Sequence, residues 1–158
     1  MKKKIIILGS TGSIGKSLIN ILDKDKKNIE IVLLTADKNI KELKKQIVKF
    51  KVKNVIITNH NKFLEFKKKI KNKKINIFNN FKSLKKILKK GKIDYTMNAI
   101  TGLVGLDPTL KIIKFSKNIA IANKESIICG WPLIKKELKK NKTRFIPIDS
   151  EHFSIWSL

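Results

Sequence analysis

The chain has 158 residues, 42% apolar and 31% charged, with a formal net charge of +25; the length suits one domain with a sizeable core, and the balance argues against disorder. No apolar run approaches the roughly 20 residues of a bilayer span, and the single cysteine, Cys129, excludes an internal disulfide framework and fits a reducing cytosol. Met1-Lys2-Lys3-Lys4 before Ile5 to Leu8 imitates a signal peptide, yet the apolar stretch falls short of the roughly 7–15 residues needed and runs into glycines, so a soluble cytoplasmic domain is expected.

Strand-length apolar runs alternate with amphipathic stretches. Lys4 to Leu8 reads as a strand buried on both faces, ended by glycines. Ser13 to Leu22 reads as a helix with Ile14, Leu18, Ile21 and Leu22 on its inner face. Glu30 to Leu34 is a second strand, and Ile40 to Phe50 a helix with Leu43, Ile47 and Phe50 inward. Val55 to Ile57 is a third strand, followed by a lysine-rich helix from about Lys62 to Ile70. Ile75 to Phe78 reads as a strand and Phe81 to Leu88 as a helix. Tyr95 to Ile100, Ile119 to Ala122 and Phe145 to Ile148 complete the strands. Leu103 to Phe115 and Asn123 to Lys140 lie between them, the second a long helix that Pro132 should bend or interrupt. Cys129, on an apolar stretch of that helix, is expected in the core. Strands alternating with helices predict an α/β fold, a doubly wound, mostly parallel sheet covered on both faces.

Thirty-six of the 37 basic residues are Lys, with Arg144 the exception, and Lys, Ile and Asn together make 78 of 158 residues. All three have A/T-rich codons, so a base-composition bias accounts for the charge more simply than nucleic-acid binding, which favours Arg for bidentate contacts. The clusters Lys67-Lys68-Lys69, Lys135-Lys136 and Lys139-Lys140 fall on helical patterns and read as solvated faces.

Four segments carry candidate chemistry. Gly9-Ser10-Thr11-Gly12-Ser13-Ile14-Gly15 joins the first strand to the first helix. Glycines there allow a tight turn and let the backbone approach a pyrophosphate, which a helix N-terminus binds through its free amides. The spacing G-x-x-G-x-x-G differs from the commoner G-x-G-x-x-G and a turn needing positive φ is the simpler alternative, but three glycines with Ser and Thr between them at a strand-to-helix junction favour dinucleotide binding. After the second strand, Thr35-Ala36-Asp37-Lys38-Asn39 is mixed: Lys38 and Asn39 suit a 2′-phosphate, and Asp37 does not unless its side chain turns away. Asn123-Lys124-Glu125-Ser126 reads either as a capped helix start or as polar groups at the ligand-binding edge of the sheet. Asp149-Ser150-Glu151-His152 follows the last strand; two carboxylates at i and i+2 point the same way and suit a hard cation, although two acids opening a helix are common.

Together these segments resemble the 1-deoxy-D-xylulose 5-phosphate reductoisomerase family along essentially the whole chain. The resemblance rests on residues 7–15, on Asn98-Ala99-Ile100-Thr101-Gly102 with Gly105, on Ala122 to Ser126, and on Ile146 to His152. It implies a Rossmann-like NADPH-binding domain over 1–148 and the start of a catalytic domain over 149–158. It also implies that Thr11, Gly12, Ser13 and Ile14 hold the NADPH pyrophosphate, that Lys38 and Asn39 lie near the 2′-phosphate, and that Asn123 and Glu125 contact the cofactor. Lys124, Ser150 and Glu151 would contact a sugar phosphate substrate. Asp149 and Glu151 would bind Mg²⁺ or Mn²⁺, with Lys124, Asp149 and Glu151 as the catalytic set. Asp37 stands where many members have Gly. The apolar ending, His152 to Leu158, further suggests an N-terminal fragment that binds NADPH without turning over substrate, the homodimer belonging to the full-length protein. No specific nucleic acid and no membrane partner are expected. The alternatives are another NAD(P)-dependent dehydrogenase of the same fold and a basic nucleic-acid-binding module.

Overall fold

The computed structural model describes residues 1–70, 74–88 and 92–148. Its elements run β1 (Lys3–Leu8), α1 (Ser13–Lys24), β2 (Ile29–Ala36), α2 (Ile40–Phe50), β3 (Asn54–Ile57), α3 (His60–Lys69), β4 (Asn76–Phe78), α4 (Leu84–Ile87), β5 (Ile93–Asn98), α5 (Leu106–Ile113), β6 (Ser116–Ile121), α6 (Lys124–Asn141) and β7 (Arg144–Pro147). All seven strands join one parallel sheet in the order β4-β3-β2-β1-β5-β6-β7.

The unbroken apolar run of β1 is what a central parallel strand requires, since alternate side chains feed opposite cores. Ile5 and Ile7 face a layer built with Ile19 of α1, Leu43 and Ile47 of α2 and Phe66 of α3. Ile6 and Leu8 face a second layer with Leu84 of α4, Ile112 and Ile113 of α5, and Ile127, Ile134 and Leu138 of α6. The chain therefore winds outward from β1 to β4 over one face, returns to β1's other side, and winds outward again over the opposite face. The reversal lies between β1 and β5, paired from Ile5 with Tyr95 to Leu8 with Asn98. Among the described residues no helix is long and apolar enough to cross a membrane.

Several local expectations are corrected. In α1, Leu18 and Leu22 pack on the core as expected together with Gly15 and Ile19, whereas Ile14 and Ile21 are 41% and 64% exposed; an isoleucine-rich helix shows apolar residues on more than one side, so composition blurs its face. Cys129 is exposed rather than in the core, because α6 packs through Ile127, Gly130, Ile134 and Leu138, a stripe that passes it by. Pro132 does not interrupt α6. It sits on the solvent side with Ile128, so the carbonyl deprived of its helical partner faces water. The helices read over Phe81 to Leu88 and Leu103 to Phe115 each begin with a 3₁₀ turn, Phe81–Ser83 and Leu103–Gly105, leaving α4 and α5 short. Helix α3 starts at His60 rather than Lys62, capped by the Asn59 side chain on the Lys62 amide at 3.0 Å. The lysine clusters on α3 and α6 are solvated as expected.

Asp94 fastens the lower edge of the sheet. Its carboxylate accepts from Lys117 Nζ at 2.8 Å and from the Lys4 amide at 2.9 Å, and these contacts, Lys117 first, hold its carboxyl below the ordinary range. A depressed folded-state pKa adds stability above the unfolded value near ~3.9 and loses it as pH falls through the folded value. Asp94→Asn should therefore flatten part of the acid limb in urea unfolding between about pH 5 and 2, and an unchanged slope would contradict this role.

Candidate functional site

The turn after β1 is built by neighbours on both sides. Gly9 has φ of +74°, and a Cβ on it would lie 2.8 Å from the Ala99 carbonyl oxygen, so the close approach of β1's end to β5's end requires glycine there. The Gly9 amide donates to Thr35 Oγ1 at 2.8 Å and the Ser10 amide to the Thr35 carbonyl at 2.9 Å, tying the turn to β2. From α2, Gln46 Nε2 donates to the Ser10 carbonyl at 2.9 Å. Gly15 packs its α-carbon against the Gly9 carbonyl and the Ser10 backbone, where a Cβ would sit 2.7 Å from Ser10 Cα. Gly12 differs. Its φ of −74° is open to any residue, and a Cβ on it would meet the Gly9 carbonyl oxygen at an ordinary 3.5 Å.

Helix α1 begins at this turn with no side-chain cap and no acid in its first turn. By contrast, Asn39, Asn59 and Asn123 cap α2, α3 and α6 by accepting from Glu42, Lys62 and Ser126 amides. The first-turn amides of α1 thus have no side-chain partner at a positive helix end, while the Lys16 amide begins the ladder by donating to the Gly12 carbonyl at 2.9 Å.

This helix end opens onto a cleft of about 530 Å³ at the sheet's C-terminal edge. Gly9, Thr11 and Gly12 form its floor; Thr35, Ala36, Asp37, Thr58 and Phe81 line one side, and Ala99, Ile100, Thr101, Val104 and Pro108 the other. The second side is fastened by buried amides. Asn98 Nδ2 donates to Thr109 Oγ1 at 2.6 Å and to the Gly105 carbonyl at 3.1 Å. Asn123, 3% exposed, donates Nδ2 to the Ile100 and Gly102 carbonyls while its Oδ1 accepts from the Ser126 amide at 2.8 Å.

The predicted residues sort as follows. Thr11 and Gly12 line the cleft, and Ser13 and Ile14 form the uncapped start of α1. Asn39 Oδ1 is committed to the Glu42 amide at 3.0 Å, and Lys38 lines a groove between α2 and α3. Asn123 fixes the loop after β5, and Lys124 and Glu125 stand exposed at the start of α6. The pairing of Asn98 with Ile121 and of Ile121 with Pro147 brings the exits of β5, β6 and β7 to one edge. Asp149, Ser150, Glu151 and His152 lie outside the described residues. Among the described residues no group of three or more His, Cys, Asp or Glu is placed to hold a metal ion. Gln46 and Thr58 carry no motif in the sequence, and Thr35, although in the segment after β2, has none that points to the Gly9 turn. For Gln46 a signal exists: it is polar on the inward stripe between Leu43 and Ile47, and buried polar groups need partners.

The family model for 1-deoxy-D-xylulose 5-phosphate reductoisomerase matches residues 5–130. The chain belongs to that family. The reductoisomerase of Pelagibacter ubique (strain HTCC1062) is 64% identical over 157 residues, which cover 99% of this chain and 40% of the relative. That of Clostridium kluyveri (strain ATCC 8527) is 38% identical over 156 residues, which cover 98% of this chain and again 40% of the relative. Among solved structures, the Zymomonas mobilis reductoisomerase in complex with NADPH superposes with a TM-score of 0.86 at 29% identity, over 96% of this chain and 40% of that one. A reductoisomerase holding NADPH, fosmidomycin and magnesium gives 0.85 at 29%, over 95% and 37%. The chain thus spans about two fifths of the length of these reductoisomerases. Homoserine dehydrogenase from S. aureus, at 15% identity and a TM-score of 0.53, shares the fold alone.

Proposed function

We propose that this chain forms the NADPH-binding part of a cytoplasmic enzyme that rearranges and reduces 1-deoxy-D-xylulose 5-phosphate to 2-C-methyl-D-erythritol 4-phosphate in the non-mevalonate isoprenoid pathway. The observation that carries the reading is Gly12. Neither its backbone angles nor its neighbours in the protein require glycine, yet it faces the cleft at the uncapped start of α1. That arrangement suits a pyrophosphate pressed against the chain at the switch point of a doubly wound sheet.

In this reading residues 1–148 bind the cofactor and 149–158 open the catalytic part. Thr11, Gly12, Ser13 and Ile14 hold the pyrophosphate. Lys38 and Asn39 lie toward the ribose end, and Glu125, with Asn123 through the loop it fixes, borders the nicotinamide side. Bound there, NADPH supplies the hydride, and Mg²⁺ or Mn²⁺ supplies a Lewis acid for the rearrangement. Lys124 offers a point charge to an oxygen of the sugar phosphate. Asp149 and Glu151 would hold the cation and Ser150 would donate to substrate, a placement supported by the shared exit edge of β6 and β7. A homodimer belongs to the full-length enzyme.

Two measurements test this. Calorimetric titration of the 158-residue chain with NADPH should give saturable, one-to-one binding, and its absence up to millimolar cofactor would remove the reading. In a full-length protein carrying this chain, Asp149→Asn should collapse metal-dependent NADPH oxidation on 1-deoxy-D-xylulose 5-phosphate, by at least about 100-fold for loss of a ligand carboxylate; unchanged turnover would remove Asp149 from the metal site.

A further inference from the structure

Helix α2 turns one polar side chain inward. Gln46 is 2% exposed and shares the buried stripe with Leu43 and Ile47, which pack in the layer against β1. Both hydrogens of its amide are used: Nε2 donates to the Ser10 carbonyl at 2.9 Å and to Glu42 Oε1 at 3.3 Å. Its Oε1 is buried and has no partner among the described residues. A buried acceptor left unpaired costs stability, and an apolar side chain of the same size would fill this place in the layer without that cost. What the glutamine supplies instead is a grip on Ser10. That residue is fully buried and held from its other side by β2, its amide donating to the Thr35 carbonyl at 2.9 Å and its hydroxyl to the same oxygen at 3.3 Å. With Gly15 packed against its α-carbon, Ser10 is clamped from α1, α2 and β2 together. In a planar trans peptide the carbonyl and the following N–H point in opposite directions. Holding the Ser10 carbonyl toward α2 therefore turns the Thr11 N–H away from α2. Thr11 lines the cleft, and Gln46 does not.

We propose that Gln46 is a positioning residue for the cofactor, setting the Ser10–Thr11 peptide from behind the turn so that the Thr11 amide faces the pyrophosphate. The inference rests on the dinucleotide site proposed above. Gln46 does not meet the ligand. It fixes the direction of one donor before the ligand arrives, so that binding does not have to order that peptide. Without it the peptide divides its time between orientations, and the cofactor's apparent affinity falls by the fraction that is correctly turned.

The test pairs calorimetric titration with amide spectra of the 158-residue chain. Gln46→Met keeps the volume and removes the donor; its dissociation constant for NADPH should rise about tenfold. Ile47→Val, one residue along α2, trims the same layer without removing a hydrogen bond. It should lower the melting midpoint by about 2–4 °C and leave the dissociation constant within about twofold. The contrast separates positioning from support of the helix, because a merely structural role weakens binding in step with stability. In ¹H–¹⁵N spectra of the unmodified chain, the Thr11 amide should show one of the largest shifts on saturation with NADPH, and in Gln46→Met that shift should shrink. A dissociation constant for Gln46→Met within about twofold of the unmodified chain, or an equal loss in Ile47→Val, overturns the proposal. So does a Thr11 amide that NADPH leaves unmoved in the unmodified chain, a result that needs no variant and leaves the dinucleotide site standing. A folded chain that binds no NADPH removes the site, and this proposal with it.

Discussion

Gly12→Ala should cost the chain at least about tenfold in NADPH affinity while lowering its unfolding free energy by less than about 1 kcal/mol. The added Cβ finds the Gly9 carbonyl at 3.5 Å and a φ of −74°, so the folded chain tolerates it; what it obstructs is the cleft. Gly9→Ala is the opposite case. There the Cβ meets the Ala99 carbonyl at 2.8 Å on a backbone with φ of +74°, and neither contact has a flexible side chain to give way. Left-handed strain plus a backbone clash should remove roughly 3 kcal/mol, a large part of a domain's total stability. Urea unfolding and calorimetric titration of the two variants separate the roles. Equal losses of stability in both would mean that Gly12 serves the fold and not a ligand.

Asn123→Ala should be the other severe change, lowering stability by about 2–4 kcal/mol. It removes the cap on the Ser126 amide and leaves the Ile100 and Gly102 carbonyls without their shared donor. Glycine at 105 leaves room for that amide, since a Cβ there would lie 2.5 Å from Asn123 Nδ2. Because the released loop forms one side of the cleft, NADPH affinity should fall too. Asn123→Asp keeps the cap oxygen but loses the donor, so it should retain the α6 start and still loosen the loop. Amide hydrogen exchange at residues 100–106 distinguishes the two variants, and unchanged protection in Asn123→Asp would contradict the bridging role.

The architecture was legible because β1 is apolar at every position from Ile5 to Leu8, a pattern that only a strand covered on both faces sustains, and because the glycines fall at its end. The same richness in isoleucine obscured the helix faces. Between Ile127 and Ile134 nearly every residue is apolar, so Cys129 looked inward although the packed stripe runs through Gly130. Gly130 itself reads as a weak helix residue in sequence; in space it admits the Leu106 side chain of α5. The site was legible in its glycines and Asn caps, which act on neighbours in sequence. Its cross-links were not. Thr35 reaches back 26 residues to Gly9 and Gln46 reaches 36 to Ser10, and no local pattern encodes which polar residue will meet which turn.

The double winding sets an order of events during synthesis. The first strand made is the one at the centre, and α1, α2 and α3 cover one of its faces by residue 69. The face carrying Ile6, Leu8, Leu33 and Ile56 waits for α4, α5 and α6, whose last core contact is Leu138. At about 5–20 residues per second, a nascent chain carries that greasy half-sheet uncovered for several seconds. Ribosome-associated chaperones should engage this polypeptide most strongly in that interval, and release it as α6 docks.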